Sequence, residues 1–265
     1  MNTFSIREAV RFALSAVKRN VGFYILLSVL IFVVAFGAEM INEYRSVNES
    51  DVLSLVAHIL LLVLNLILSI WAIRVGLDAA EAKKPSFSNF LPSWEVVWKF
   101  ILSNALVALI VVVPAILFVG AIALLTFGSV VGLAALPTLG SLSPILVGLV
   151  GVLVLLLIFA LIYLGTRFMF STYYVVDQKL GPIESVRASW HSTHSFVWKL
   201  IGLMFVLSLI NFVGMLAFFI GLLVTIPITL VATAYAYRQI SQTAHSVPTP
   251  SGDVVEPVPT PTIEQ

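Results

Sequence analysis

The chain has 265 residues, 60% of them hydrophobic and 10% charged, with a mean hydropathy of +1.09. Soluble domains carry about 25% charged residues, so this composition excludes an ordinary water-soluble fold. With no cysteine, the chain also lacks disulfides, thiolate metal sites, iron–sulfur clusters and cysteine lipidation, while its net charge of +1 is uninformative until the charges are placed along the sequence.

The first predicted element is an amphipathic helix over about residues 5–18. Ile6, Val10, Ala13, Leu14 and Val17 form one stripe, with Arg7, Arg11 and Lys18 on the opposite face. Ser5 followed by Glu8 reads as a capping box at its start. Val21 to about Met40 is then the first apolar run. Crossing a bilayer core of about 30 Å takes about 20 such residues. Because about 20 residues precede the run and Ala35-Phe36-Gly37 is a poor cleavage site, it reads as a retained span rather than a secretion signal. The second run, 52–73, is interrupted by His58 and Asn65, seven residues apart and therefore on one helical face.

A second amphipathic segment is predicted over about 86–98, with Phe87, Phe90, Leu91, Trp94 and Trp98 at helical spacing and Pro92 bending or dividing it. Spans follow at about 100–127 and 144–166, the former carrying Pro114. A third amphipathic helix, about 182–195, can open on Pro182. Leu200 to Tyr237 is charge-free and, at about 1.5 Å per residue, much longer than a bilayer is thick. It must fold back, and Asn211 to Gly214 is the expected turn, giving spans of about 199–213 and 215–238. Pro227 lies in the last of these, and Pro114 and Pro227 are expected to kink their spans. The remaining 241–265, with five prolines, reads as a disordered tail after a single membrane domain of residues 1–240.

The fold class expected is therefore all-α: six transmembrane helices arranged as three hairpins, each preceded by an interfacial amphipathic helix. With these spans, 13 of the 14 basic residues fall on one side and only Arg45 on the other, where Glu39, Glu43, Glu49 and Asp51 also lie. The positive-inside rule then places the basic side, and both termini, in the cytoplasm. The units also match in detail. Ser93-Trp94 leads to Val97-Trp98-Lys99, and Ser189-Trp190 leads to Val197-Trp198-Lys199, with Lys18 in the equivalent place of the first unit.

The segment Asp177 to Ile201, with Gly181-Pro182, Ser189-Trp190 and Val197-Trp198-Lys199, resembles the signature of a broad prokaryotic group of six-helix membrane proteins. That group includes the membrane domain attached to some glycerophosphodiester phosphodiesterases. Ala188 stands where the pattern commonly has a second basic residue. The resemblance implies a prokaryotic cytoplasmic membrane, but no phosphodiesterase activity, because the catalytic barrel needs about 250 residues of its own.

No phosphate loop, nucleophile elbow, catalytic carboxylate pair or HExxH motif is present, so neither an enzyme nor a cofactor is expected. His191 and His194 have metal-compatible spacing but read as a polar helix face. Within the membrane, Glu39, His58 and Asn65 form the one candidate polar site, with Glu39 able to pair with His58 across the first hairpin. Four of the five tryptophans lie in the second and third amphipathic segments. Together with nearby cations they define a candidate lipid or partner collar: Arg7, Arg11, Lys18, Trp94, Trp98, Lys99, Arg187, Trp190, Trp198 and Lys199. Expected partners are a bilayer with anionic headgroups and an unidentified membrane protein. Nucleic acid is not expected, since the bases are spread over three loops and belong to no binding module. A non-enzymatic scaffold is the leading functional expectation. A carrier or channel for a small apolar or lipid-like solute comes second, and an intramembrane lipid-modifying enzyme third.

Overall fold

The structure, a computed structural model, describes residues 4–47, 52–87, 90–135, 143–217 and 220–245. Among them the chain is helical and contains no strand. In order, the helices are α1 (Ile6–Arg19), α2 (Val21–Val47), α3 (Val52–Ala80), α4 (Trp94–Ala135), α5 (Ser143–Phe168), α6 (Ser171–Gln178), α7 (Pro182–Thr193), α8 (Val197–Leu216) and α9 (Leu222–His245), with a 3-10 turn, His194–Phe196, joining α7 to α8. By length and composition, five stretches within these helices can cross a bilayer: Val21–Ile41, Val52–Ala80, Trp94–Leu124, Gly148–Gln178 and Pro182–Leu216. The chain is a multi-pass membrane protein.

The core lies at the basic end of the bundle. α9 packs against α1, α2, α3 and α8, while α3, α4 and α7 gather around α6, and α5 packs on α4, α7 and α8. Tyr24 and Leu27 of α2, Trp71 and Val75 of α3, Phe170 and Val175 around α6, Leu203 of α8 and Tyr237 of α9 are all buried there. Much of the middle of α4 and α5 is instead exposed, as helices facing lipid can be: Leu109, Ile116, Leu117, Leu155 and Phe159 are all more than half exposed.

Several boundaries differ from the sequence expectation. The capping box at Ser5 does not form. Ser5 makes no cap bond, and Glu8 accepts instead from the Tyr235 hydroxyl at 3.0 Å. α1 rests on α9 through Ala9, Ala13, Ala16 and Val17, with Phe12 stacked on Tyr235 at 4.6 Å, so its buried stripe is rotated from the expected one and Leu14 is exposed.

The second amphipathic segment is not a separate helix. The chain has no helix just after Pro92 and becomes helical at Trp94, continuing without a break through Pro114 into α4, a helix of 42 residues. The aromatic residues before it dock instead: Phe87 stacks on Trp71 at 5.0 Å and Phe90 meets its edge at 5.3 Å. The last turn lies later than Asn211–Gly214. α8 continues to Leu216, and Asn211, inside the helix, donates from Nδ2 to Thr229 Oγ1 of α9 at 2.9 Å. α9 likewise continues through Pro227 to His245, so the first residues of the expected tail are helical. The other residues of that tail, most of the connection after α4 and part of that after α2 lie outside the described residues.

Candidate functional site at the basic end

Because α3 and α6 end beside α9 here, charged side chains from all three meet. Arg238 of α9 grips Asp177 of α6 with a two-pronged contact, Nη1 to Oδ2 at 3.0 Å and Nη2 to Oδ1 at 2.8 Å. The planar guanidinium fork matches a carboxylate in this way, which a lysine ammonium cannot do. Nη2 also pairs with Glu81, just beyond α3, so one arginine ties three helices. The Tyr237 hydroxyl donates to Asp177 Oδ2 at 2.9 Å, and the Tyr237 ring packs among Phe170, Tyr173 and Tyr174. A hydrogen bond from Lys83, reinforced by Arg238, holds the Glu81 carboxyl below the usual glutamate range, and the same contact raises Lys83. A cleft of about 280 Å³ opens beside this network, lined by Arg74, Asp78, Glu81, Lys83, Asp177 and Arg238. Its three acids and three bases balance, which fits a structural clasp.

A second cleft, of about 310 Å³, lies where the elbow between α1 and α2 meets the turn after α3. Arg19, Asn20, Tyr24, Lys83 and Lys84 line it, over a floor of Ala16, Ala79 and Ala82. Here the charge is one-sided.

The proposed collar residues separate into two groups. Trp94, Trp98 and Trp198 are exposed at 77%, 54% and 76%, and Arg7, Arg11, Lys18, Arg187 and Lys199 are exposed with them. Lys99 and Trp190 instead serve the protein interior. Lys99 donates to Glu95 at 2.7 Å and to the Lys179 carbonyl at 2.8 Å, beyond α6. Trp190 is half-buried and covers the guanidinium of Arg167. Arg167, expected in a loop, is only 1% exposed within the end of α5. Thus Ser93-Trp94 and Ser189-Trp190 match in sequence but not in setting: the first pair is exposed, whereas Ser189 is buried and bonds the Arg167 carbonyl at 2.8 Å.

In the first hairpin, His58 is half-buried and its Nδ1 has no hydrogen-bond partner among the described residues, whereas Glu39 and Asn65 are exposed. No ion pair joins Glu39 to His58. His191 and His194 are exposed, and no group of three potential ligands for a metal occurs among the described residues. Trp71, Arg167 and α6 escaped the sequence reading. The run Phe168 to Val176 was visible as an apolar patch, but is too short to span a bilayer.

No protein-family model matches the chain, and neither does any curated protein or solved structure.

Proposed function

We propose that this protein is a non-enzymatic membrane scaffold of six spans, with α9 as the sixth, whose basic end sits in the cytoplasmic interface of a prokaryotic inner membrane. Supporting the sixth span is the setting of α9. It carries four threonines and two tyrosines, which lower its hydropathy, but α1, α2, α3 and α8 surround it, and Val231, Ala232, Ala234, Ala236 and Tyr237 are buried. A helix shielded by protein needs less apolar surface than one facing lipid. Six spans also keep all the bases except Arg45 on one side. The likeness of Asp177–Ile201 to the six-helix group supports the same count, and α7 does open at Pro182.

The observation that carries the scaffold reading is the exposure of Trp94, Trp98 and Trp198, with Arg7, Arg11, Lys18, Arg187 and Lys199, on α1, α4, α7 and α8, helices that pack against the clasped α6 and α9. Such side chains anchor the base at headgroup level and leave large aromatic faces for a neighbouring protein. Chemical crosslinking in native membranes, followed by isolation of the protein, tests this. Wild type is expected to capture a defined membrane partner, and Trp94→Ala/Trp98→Ala/Trp198→Ala to lose it with an unchanged melting temperature. Identical crosslinks in the triple variant would overturn the reading.

A carrier for a small apolar or lipid-like solute is the second reading, favoured by the unpartnered Nδ1 of His58 within a span. Liposome flux that vanishes in His58→Ala would support it, and background flux in wild type would remove it.

A further inference from the structure

We propose that the cleft between Arg19, Lys83 and Lys84 binds the phosphate of an anionic phospholipid headgroup. The assignment rests on the interfacial placement of the basic end proposed above. Its first support is convergence. Arg19 closes α1, whereas Lys83 and Lys84 follow α3 more than sixty residues later, yet all three line one concavity. Among the described residues Arg19 and Lys84 are engaged in no ion pair, and Lys83 pairs with Glu81 alone. Crowding cations in one concave site raises a positive potential that an anion relieves. Asn20 and Tyr24 on the wall add polar groups suited to phosphate oxygens.

The second support is the backbone that presents the lysines. Ala82 adopts φ of 58°, in the left-handed region that a residue with a Cβ rarely enters. The turn is fastened by Ala82 N–H to the Ala79 carbonyl at 3.0 Å and Lys83 N–H to the Asp78 carbonyl at 2.9 Å. It reverses the chain directly after α3 and sets Lys83 and Lys84 beside the elbow of α1. Strain of this kind persists where the surrounding structure enforces it.

Geometry favours a lipid over free phosphate. The cleft volume, about 310 Å³, is at the small end of the roughly 300–1,000 Å³ typical of small-molecule sites, enough for a headgroup but not for acyl chains. Those chains have a path, because α2 begins at the cleft and exposes Val21, Ile25, Leu26 and Val29 along its first turns. Asp78 and Glu81 line the neighbouring cleft rather than this one, and Glu81 is already shared between Lys83 and Arg238.

The test uses full-length, delipidated protein in detergent, with native mass spectrometry and thermal melting. Phosphatidylglycerol is expected to give a saturable one-to-one adduct and a rise in melting temperature, and phosphatidylcholine and inorganic phosphate neither. Arg19→Gln and Lys84→Gln should each weaken the apparent affinity about tenfold, the loss of one charge-assisted contact. Lys179→Gln, which removes one exposed charge from the same end but outside the cleft, should leave affinity unchanged. Equal loss in Lys179→Gln would overturn the site in favour of diffuse charge, as would full binding in Arg19→Gln/Lys84→Gln. A saturable response to inorganic phosphate equal to that of the lipid would overturn the lipid as occupant. The crosslinking test of the exposed tryptophans is independent of all of these outcomes.

Discussion

The guanidinium of Arg167 lies 3.8 Å from the ring centroid of Trp190, and its Nε and Nη1 have no hydrogen-bond partner. The tryptophan face thus takes the place of a counter-ion and fastens the end of α5 to α7. Ser189 and Thr193 secure the same junction through the Arg167 carbonyl, at 2.8 Å and 3.2 Å.

This arrangement makes an asymmetric prediction. Trp190→Ala strips the cover from a buried charge and should cost about 2 kcal/mol or more, the value of a desolvated cation–π contact. Arg167→Met removes the charge and keeps much of the volume, so stability should change by less than about 1 kcal/mol or rise. Thermal melting in detergent checks both, and an Arg167→Met variant less stable than Trp190→Ala would refute the account.

The Asp177–Arg238 clasp should behave as a unit. Its side chains are 16% and 23% exposed, so breaking it should cost about 2–3 kcal/mol, below the roughly 3–5 of a fully buried pair. Arg238→Lys is expected to destabilise nearly as much as Arg238→Ala, since an ammonium cannot hold Asp177 and Glu81 in the same fork. A double-mutant cycle with Asp177→Asn gives the coupling, and additive losses would show that the two residues act independently.

Acid should loosen the same corner. The Glu81 carboxyl titrates below its ordinary value of 4.5 in the folded protein, chiefly because of the hydrogen bond from Lys83. Its stabilising effect is therefore complete above the unfolded value and is lost as pH falls through the depressed folded one. Melting temperatures of wild type and Glu81→Gln, compared as pH falls below about 4.5, should converge. Because Glu81 is 34% exposed, solvent screening keeps the difference small. Parallel curves would contradict the assignment.

Two glycines fix how closely α8 and α9 approach. A Cβ on Gly221 would stand 2.5 Å from the Gly214 carbonyl oxygen, and one on Gly214 would stand 2.8 Å from Thr225 Oγ1. Gly221→Ala should cost about 1–3 kcal/mol through overpacking. Gly151→Ala, on α5, meets nothing within 4 Å and should be neutral or stabilising by up to about 1 kcal/mol. Melting curves that rank the two variants in the opposite order would sink the packing argument.

The apolar runs made the long helices legible in the sequence, because a span must satisfy its own backbone and shows its length locally. The exposed face of α1 was legible for a similar reason, since Arg7, Arg11 and Lys18 recur with a helical period. Placement against other helices was not. Nothing local marks Arg167 as buried and Lys199 as exposed, because the difference is whether Trp190 or solvent lies opposite. The same holds for Phe87 and Phe90, whose spacing fits a lipid-lying helix while their rings rest on Trp71. The turn after α8 was misplaced because Asn211 is polar, yet Thr229 across the hairpin satisfies it within the helix.

The bundle's buried core lies at its basic end, while the middles of α4 and α5 are largely exposed, and α4 alone runs about 60 Å at 1.5 Å per residue. A helix so much longer than a bilayer core of about 30 Å must tilt or extend beyond it. For α4 and α5 the buried contacts lie toward the base, so the tilt of this pair can follow local membrane thickness without repacking the core. A pair held in this way meets a change of bilayer depth by a change of tilt at its far end, while the packing of the base stays the same.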